Sequence, residues 1–162
     1  MRIRSFSSLR TVLVSTIVAI LATAANAGAQ ATTNVGARVG YNFARDEAMF
    51  SANLTVPMTT RIEFYPSLDI YTPETGNRMG FNGDVKLSFP ASNGPQFYAG
   101  AGVGIVNRNT RETHTTDVGA NLLMGVESRT GWIHPFAEGK IQLHDRAMFQ
   151  MIGGVNITLG TR

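Results

Sequence analysis

The chain has 162 residues, of which 43% are hydrophobic and 15% are charged, and it contains no cysteine. A chain without cysteine has neither a disulfide framework nor the lipid-attachment cysteine of a lipoprotein. The formal net charge of +3 comes from residues 1–29, which hold three arginines and no acidic residue. The remainder carries eleven basic and eleven acidic residues, so its charge gives no reason to expect nucleic-acid binding.

Residues 1–29 have the pattern of a secretory signal peptide. A basic segment with three arginines precedes the apolar stretch Thr11–Ala22, and small residues provide cleavage positions after Ala27 and Ala29. The apolar stretch is shorter than the roughly 20 residues that a membrane-spanning helix needs. We therefore predict that residues 30–162 form the exported domain.

The exported part consists of segments in which apolar and polar residues alternate, separated by short links. In the first segment, one face is apolar from Val35 to Phe43, and the other carries Arg38 and Asn42 among glycines. Successive side chains of a strand point to opposite faces, so each segment is predicted to be a strand. The eight predicted strands are 34–43, 48–58, 61–71, 78–89, 96–107, 117–127, 132–143 and 147–159.

The lengths of these strands and links predict an architecture. A tilted strand that crosses a membrane needs roughly 9–11 residues, whereas strands of soluble proteins usually have about 5–6. The links are too short for crossover helices, so the strands should pair antiparallel. An even number of strands lets the sheet close with both ends on one side. We predict an all-β, eight-stranded antiparallel up-and-down transmembrane β-barrel.

Prolines, glycines and one long link modify this pattern. Pro66 and Pro135 lie within predicted strands and lack a ladder N–H, so we expect a bulge or a rim position at each. The glycines of the run 100–104 are expected to leave space for side chains from other strands. The most polar link, Arg108–Thr116, is predicted to be a loop, which is either an external contact surface or simply solvated.

The polar faces carry positive and negative residues in nearly equal numbers. Inside a narrow barrel such charges should pair, because an unpaired buried charge is costly. We expect Arg38 to point inward and to bind a carboxylate from a neighbouring strand, and His134 to join the interior or a rim. The predicted interior charge network comprises Arg38, Arg61, Glu63, Asp69, Asp84, Lys86, Glu127, Glu138 and Lys140.

The apolar faces carry aromatic residues near the strand ends and aliphatic residues between them. Two aromatic girdles around an aliphatic belt are typical of a transmembrane barrel. The alternative is a lipocalin-like soluble barrel, in which the apolar face points inward and aromatics lie in mid-strand. The predicted girdles comprise Tyr41, Phe43, Phe50, Phe81 and Phe149 at the outer rim and Phe64, Phe89 and Phe97 at the other rim.

Several segments resemble the small outer-membrane β-barrel proteins, a porin-like family that includes the eight-stranded transmembrane domain of the outer membrane protein A type. They are VGARVGYNF, QFYAGAGVGIV and IHPFAEGKIQL, the last followed by GGVNITLG. The resemblance covers residues 30–162 and implies a monomer in the outer membrane of a Gram-negative bacterium. It implies outer-membrane lipid and the barrel assembly machinery as partners. Family members generally end in an aromatic residue that serves in assembly, whereas this chain ends in Arg162.

The sequence leaves several functions open. An eight-stranded barrel has an interior that its side chains just fill, so we expect a structural or interaction role without an open pore. A narrow gated channel is one alternative. A lipid-modifying enzyme is another, because some barrels that this chain resembles are lipid A deacylases. These enzymes use a serine, a histidine and a carboxylate near the outer rim.

The residues that such an enzyme would need are present only in part. Ser51, Glu47, His114 and His144 could meet near the outer rim, but the histidine-x-serine pattern of the deacylases is absent. A nucleophile and its base must also lie within hydrogen-bond reach. The three histidines do not share a metal-ligand spacing. We therefore predict no catalytic, cofactor-binding or metal site.

Overall fold

The computed structural model shows a closed barrel of eight antiparallel strands, in which each strand pairs with its neighbours in sequence and β1 pairs with β8. The strands are β1 (Thr33–Asn42), β2 (Glu47–Pro57), β3 (Ile62–Thr72), β4 (Asn77–Phe89), β5 (Gln96–Asn109), β6 (His114–Glu127), β7 (Ile133–Leu143) and β8 (Ala147–Leu159). The predicted fold class is confirmed. The structure describes residues 32–74, 76–89, 91, 94–110, 114–144 and 146–159. The predicted signal peptide lies outside these residues, and so does Arg162, the last residue of the chain. Among them, no helix is long and apolar enough to cross a membrane.

The two ends of the barrel are named here by the links that they carry. The upper rim carries the links 43–46, 73–76, 110–113 and 144–146, and the lower rim carries the links 58–61, 90–95 and 128–132. Thr33 at the start of β1 pairs with Leu159 at the end of β8, so both ends of the sheet lie at the lower rim. This is the arrangement that an even number of strands predicts.

The strands β5 and β6 extend into the predicted loop Arg108–Thr116, which corrects the predicted ends of these two strands. Arg108 pairs with Thr115, and Thr116 Oγ1 donates a hydrogen bond of 2.7 Å to Asn107 Oδ1. Strands pair through their backbone groups and do not require alternating apolar residues. A hairpin with polar residues on both faces can therefore continue beyond the aliphatic belt of the outer surface. As a result β5 and β6, with 14 residues each, are the longest of the eight strands.

Pro66 lies in mid-strand without the predicted bulge. Asn53 pairs with Ser67, and the next pair is Val56 with Phe64, an equal step along both strands. No residue is therefore inserted; instead the β2–β3 pairing lapses beside the proline, which has no N–H to donate. Pro135 lies at the lower rim as expected, where its carbonyl accepts a hydrogen bond of 2.9 Å from Ser128 N just after β6 ends.

The polar faces of the strands point inward and the apolar faces point outward. Arg38 is 2% exposed and Asp84 is fully buried, whereas Val39 is 57% and Val103 is 62% exposed. A lipocalin-like barrel would have the opposite arrangement. The direction of the two faces is therefore the one predicted for a barrel whose outer surface contacts lipid.

Candidate functional site

The middle of the barrel interior is organised around a buried arginine on β1. The guanidinium of arginine has five N–H donors in a fixed planar arrangement. All five of these donors of Arg38 find an acceptor. Nε donates to Ser51 Oγ at 2.8 Å. Nη1 donates to Tyr65 Oη at 3.2 Å and to Glu138 Oε1 at 3.4 Å. Nη2 donates to Ser67 Oγ at 2.6 Å and to Asp69 Oδ1 at 2.8 Å.

The carboxylates that bind Arg38 do not lie on neighbouring strands, so that prediction is wrong. Asp69 on β3 and Glu138 on β7 are each two strands away from β1 in the barrel order. The neighbouring strands present Ser51 and Gly154 opposite Arg38. Because these residues are small, the long arginine side chain extends past them and reaches across the lumen.

A second buried ion pair joins this centre through amide side chains. Lys140 Nζ lies 2.8 Å from Asp84 Oδ2, and both side chains are fully buried. Asn121 Nδ2 donates to Asp84 Oδ1 at 2.8 Å and to Asn82 Oδ1 at 2.9 Å. Asn82 Nδ2 in turn donates to Asp69 Oδ2 at 2.8 Å. The two ion pairs therefore belong to one hydrogen-bonded network through the middle of the barrel.

At the lower rim, an arginine from the link 128–132 folds into the barrel mouth. Arg129 Nη2 lies 2.5 Å from Glu63 Oε1 and 3.3 Å from Glu127 Oε2. Burial alone would lower the pKa of Arg129, but attraction to these two carboxylates raises it above its ordinary value. Lys86 Nζ lies 3.8 Å from Glu63 Oε2 and 3.8 Å from the ring centroid of Tyr65. The acidic residues of this mouth thus have cationic partners.

Arg61 does not belong to this group, which corrects its predicted interior position. It lies exposed in the link 58–61, because β3 begins only at Ile62. Thr59 Oγ1 accepts hydrogen bonds from the backbone N–H groups of Arg61 and Ile62 and fixes this turn. The sequence pattern missed Arg129, because a residue in a turn has no assigned face.

His134 lies at the lower rim among polar groups, as expected. Its Nδ1 is 4.0 Å from Glu127 Oε1, and its Nε2 is 3.1 Å from the carbonyl of Gly131 and 3.2 Å from Thr158 Oγ1. The other predicted interior residues on strands, Glu63, Asp69, Asp84, Lys86, Glu127, Glu138 and Lys140, are all buried.

At the upper rim, a buried arginine–glutamate ion pair and a methionine line the mouth. Arg78 Nη1 contacts Glu47 Oε1, and its guanidinium lies 4.3 Å above the ring centroid of Tyr71. Met148 Sδ lies 3.7 Å from Arg78 Nη2 and 3.1 Å from Arg45 Nε. Arg78 was not among the predicted interior residues, although it shares its alternation with Asn82 and Lys86.

Two of the four candidate enzyme residues, Ser51 and Glu47, are bound to other side chains. Ser51 Oγ accepts from Arg38 Nε and donates to Asp69 Oδ1 at 2.5 Å, in the middle of the barrel. Glu47 binds Arg78, and His114 is exposed at the start of β6. Within the described segments, no hydrogen bond joins Ser51 to His114.

The aromatic residues assigned to the girdles lie on the outer face. Tyr41 and Phe43 meet edge to face with ring centroids 5.2 Å apart, and Phe43 stacks on Phe149 at 5.8 Å. These three rings form a continuous group near the upper rim. Trp132, which the sequence placed in a strand, is 65% exposed in the lower-rim link 128–132.

The glycine run on β5 leaves space for side chains from the adjacent strands, as predicted. A Cβ at Gly100 would lie 2.9 Å from Leu123 Cδ1, and one at Gly104 would lie 2.7 Å from Asn82 Oδ1. A Cβ at Gly102 would overlap the carboxylate of Asp84 and the carbonyl of Gly83. The glycines therefore permit the buried network on β4 and β6.

Solved structures share this fold. No family model matches the sequence, and the comparison with curated proteins found no match. The N-terminal β-barrel domain of Pseudomonas aeruginosa OprF matches with a TM-score of 0.70 and 17% identity, over 80% of this chain and 100% of that one. Neisserial surface protein A (NspA) matches with 0.58 and 10%, over 80% and 96%. Ail, the attachment invasion locus protein of Yersinia pestis, matches with 0.53 and 9%, over 80% and 97%. Identities this low establish the fold alone: the chain has the fold of the small eight-stranded outer-membrane β-barrels, as its sequence resemblance implies.

Proposed function

We propose that the protein is a monomeric outer-membrane β-barrel with a structural or interaction role and no open pore. The observation that carries this proposal is the Arg38 network inside an apolar exterior. Its partners are outer-membrane lipid along the outer face and the barrel assembly machinery during insertion.

The exterior supports the membrane position. Val103 on β5 and Val118 and Met124 on β6 are each more than 60% exposed on the outer surface. A continuous apolar surface around a whole barrel would promote aggregation in water, whereas in a bilayer it contacts acyl chains. The aromatic group of Tyr41, Phe43 and Phe149 lies at the level of the upper rim, where a headgroup boundary would lie.

The interior supports the absence of an open pore. Arg38, Asp69 and Glu138 come from three strands and meet across the lumen, and all three side chains are fully buried. A charge-paired network of this kind occupies the path that a solute would take. A narrow gated channel is the second candidate, and it would require this network to open.

Gel migration and conductance test these two statements separately. We expect heat-modifiable migration, recovery with the outer-membrane fraction, and no steady conductance in planar bilayers. Recovery as a soluble periplasmic protein would overturn the membrane position. Steady conductance of reproducible size would overturn the closed interior and favour the channel.

We propose a non-catalytic role over a lipid-modifying activity, because the hydroxyl of Ser51 is bound between Arg38 and Asp69. Mass analysis of lipid A from cells with and without the protein tests this. We expect identical spectra. A lost acyl chain that returns to normal in the Ser51→Ala variant would establish the enzyme instead.

If the protein binds a partner, the projecting end of the β5–β6 hairpin is the surface that supports it best. Asn109 and His114 pair at this end and are exposed beyond the apolar belt. The upper-rim links are otherwise short, so they offer little surface of their own. Shortening the hairpin while keeping the Arg38 network separates an interaction role from a structural one.

A further inference from the structure

The upper mouth contains a cleft of ≈ 370 Å³ that the proposed structural role does not use. Ala44 and Arg45 between β1 and β2 line it, together with His144 and Arg146 between β7 and β8. Its lining residues are Ala44, Arg45, Arg78, Val106, Asp117, His144, Arg146, Ala147 and Met148.

The cleft has an excess of positive charge. Three arginines line it, Arg45, Arg78 and Arg146, and Asp117 is the one carboxylate among the described lining residues. Arg78 is already bound to Glu47. Arg45 and Arg146 have no carboxylate within ion-pair distance among the residues that the structure describes. Among the described lining residues, the two exposed guanidinium groups of Arg45 and Arg146 thus share this opening with the single carboxylate of Asp117, which leaves an excess of positive charge.

Two of the three arginines, Arg45 and Arg78, contact a buried methionine. Arg45 Nε rests on Met148 Sδ at 3.1 Å, and Met148 is buried beside Arg78. Burial, and after it the nearby positive charge of Arg108, lowers the pKa of Arg45 from its ordinary value. Like charges held close together are unfavourable unless an anion lies between them. An anion between Arg45 and Arg146 would therefore reduce their mutual repulsion.

We propose that this cleft binds the oxyanion of a phosphate group at Arg45 and Arg146, with Arg78 behind them. A planar guanidinium binds phosphate oxygens in a bidentate manner, and several guanidinium groups can share the oxygens of one tetrahedral anion. A single carboxylate offers two oxygens and suits one arginine better. The cleft opens at the rim, so the phosphate can belong to a solute or to a lipid headgroup.

Side-chain NMR of the arginines tests the proposal on the protein in phosphatidylcholine nanodiscs. Inorganic phosphate is titrated against chloride at constant ionic strength, with acetate as the carboxylate comparison. We expect saturable changes of the Arg45 and Arg146 signals with phosphate and much weaker ones with acetate. The Arg45→Gln/Arg146→Gln variant should bind phosphate at least about tenfold more weakly, which corresponds to about 1.4 kcal/mol.

The matched control is Arg61→Gln, which removes one exposed arginine at the lower rim and should leave phosphate binding unchanged. Nanodiscs that contain phosphatidic acid, without soluble phosphate, distinguish the two sources. The same shifts in those nanodiscs assign a lipid headgroup, and shifts with inorganic phosphate alone assign a solute. Absent or non-saturable changes in both arms, or equal changes in the double variant, would overturn the proposal.

Discussion

Arg38 on β1 and Asp69 on β3 form an ion pair of 2.8 Å that passes over the intervening strand β2. Ser51 on β2 lies between them, accepting from Arg38 Nε at 2.8 Å and donating to Asp69 Oδ1 at 2.5 Å. Three consecutive strands are thus tied together inside the barrel by side chains as well as by the backbone ladder. Glu138 on β7 extends the same connection to the opposite wall.

Arg38→Met should destabilise the barrel strongly. The change leaves Asp69 and Glu138 buried without their common cation, and breaking a buried pair in this way typically costs about 3–5 kcal/mol. Urea unfolding in lipid vesicles, followed by gel migration and by the fluorescence of the single tryptophan, measures the free energy of unfolding.

Arg61→Met is the matched control, because Arg61 is an exposed arginine in a lower-rim turn. Its effect should remain within about 0.5 kcal/mol. In the double variant Arg38→Met/Asp69→Asn, the loss should be smaller than the sum of the single losses, since the partners act together. Strict additivity would show that the pair does not contribute as a unit.

Gly102→Val should prevent the correct pairing of β4 with β5. A Cβ at this inward position overlaps the Asp84 carboxylate and a backbone carbonyl, and backbone cannot move aside as a flexible side chain can. We expect loss of the heat-modifiable form. Gly153→Val provides the comparison, because a Cβ there has its nearest neighbour, Phe136 O, at 4.0 Å. Equal folding of the two variants would contradict this account of the glycine run.

Strand positions, pairing and the direction of the faces follow from the sequence because each depends on a period of two along one strand. Once Arg38 and Val39 are assigned to opposite faces, every other residue of β1 is assigned too. Closure adds only an even strand number and short links. These properties are local, so the alternation of a single chain is sufficient to predict them.

The partners inside the barrel could not be predicted in this way. Alternation places Arg38 inward, but it does not say how far the side chain reaches. Because Gly154 and Ser51 opposite it are small, the side chain extends past them to the distant Asp69. Arg129 lies in a turn, where no alternation assigns a face, yet it forms ion pairs with two carboxylates. At Pro66 the sequence predicts the loss of a ladder bond but not its form, which is a lapse in the β2–β3 pairing and not a bulge or a rim position.

Arg129→Gln should weaken the lower mouth by about 1 kcal/mol, a modest loss because the arginine is partly exposed and solvent screens its charge. The change leaves Glu63 and Glu127 without their shared partner. Arg129→Lys retains the charge and should restore part of the loss. Urea unfolding at low and high salt distinguishes the electrostatic origin, since screening should reduce the difference. A difference independent of salt would indicate lost packing instead.

Val103→Arg and Met58→Arg together test whether the outer surface contacts lipid. The two side chains are almost equally exposed, at 62% and 64%, but Val103 lies in mid-strand and Met58 lies just beyond β2 at the lower rim. An arginine at the bilayer midplane costs about 2–4 kcal/mol in a barrel, and near the interface about 0–1 kcal/mol.

We therefore expect Val103→Arg to lower the free energy of unfolding in vesicles by several times the effect of Met58→Arg. Intermediate substitutions along β5, at Ile105 and Phe97, should fall between these limits according to their distance from the rims. In water the cost of a charge at an exposed site would not depend on depth. Equal effects at Val103 and Met58 would therefore contradict a transmembrane position, however apolar the outer surface is.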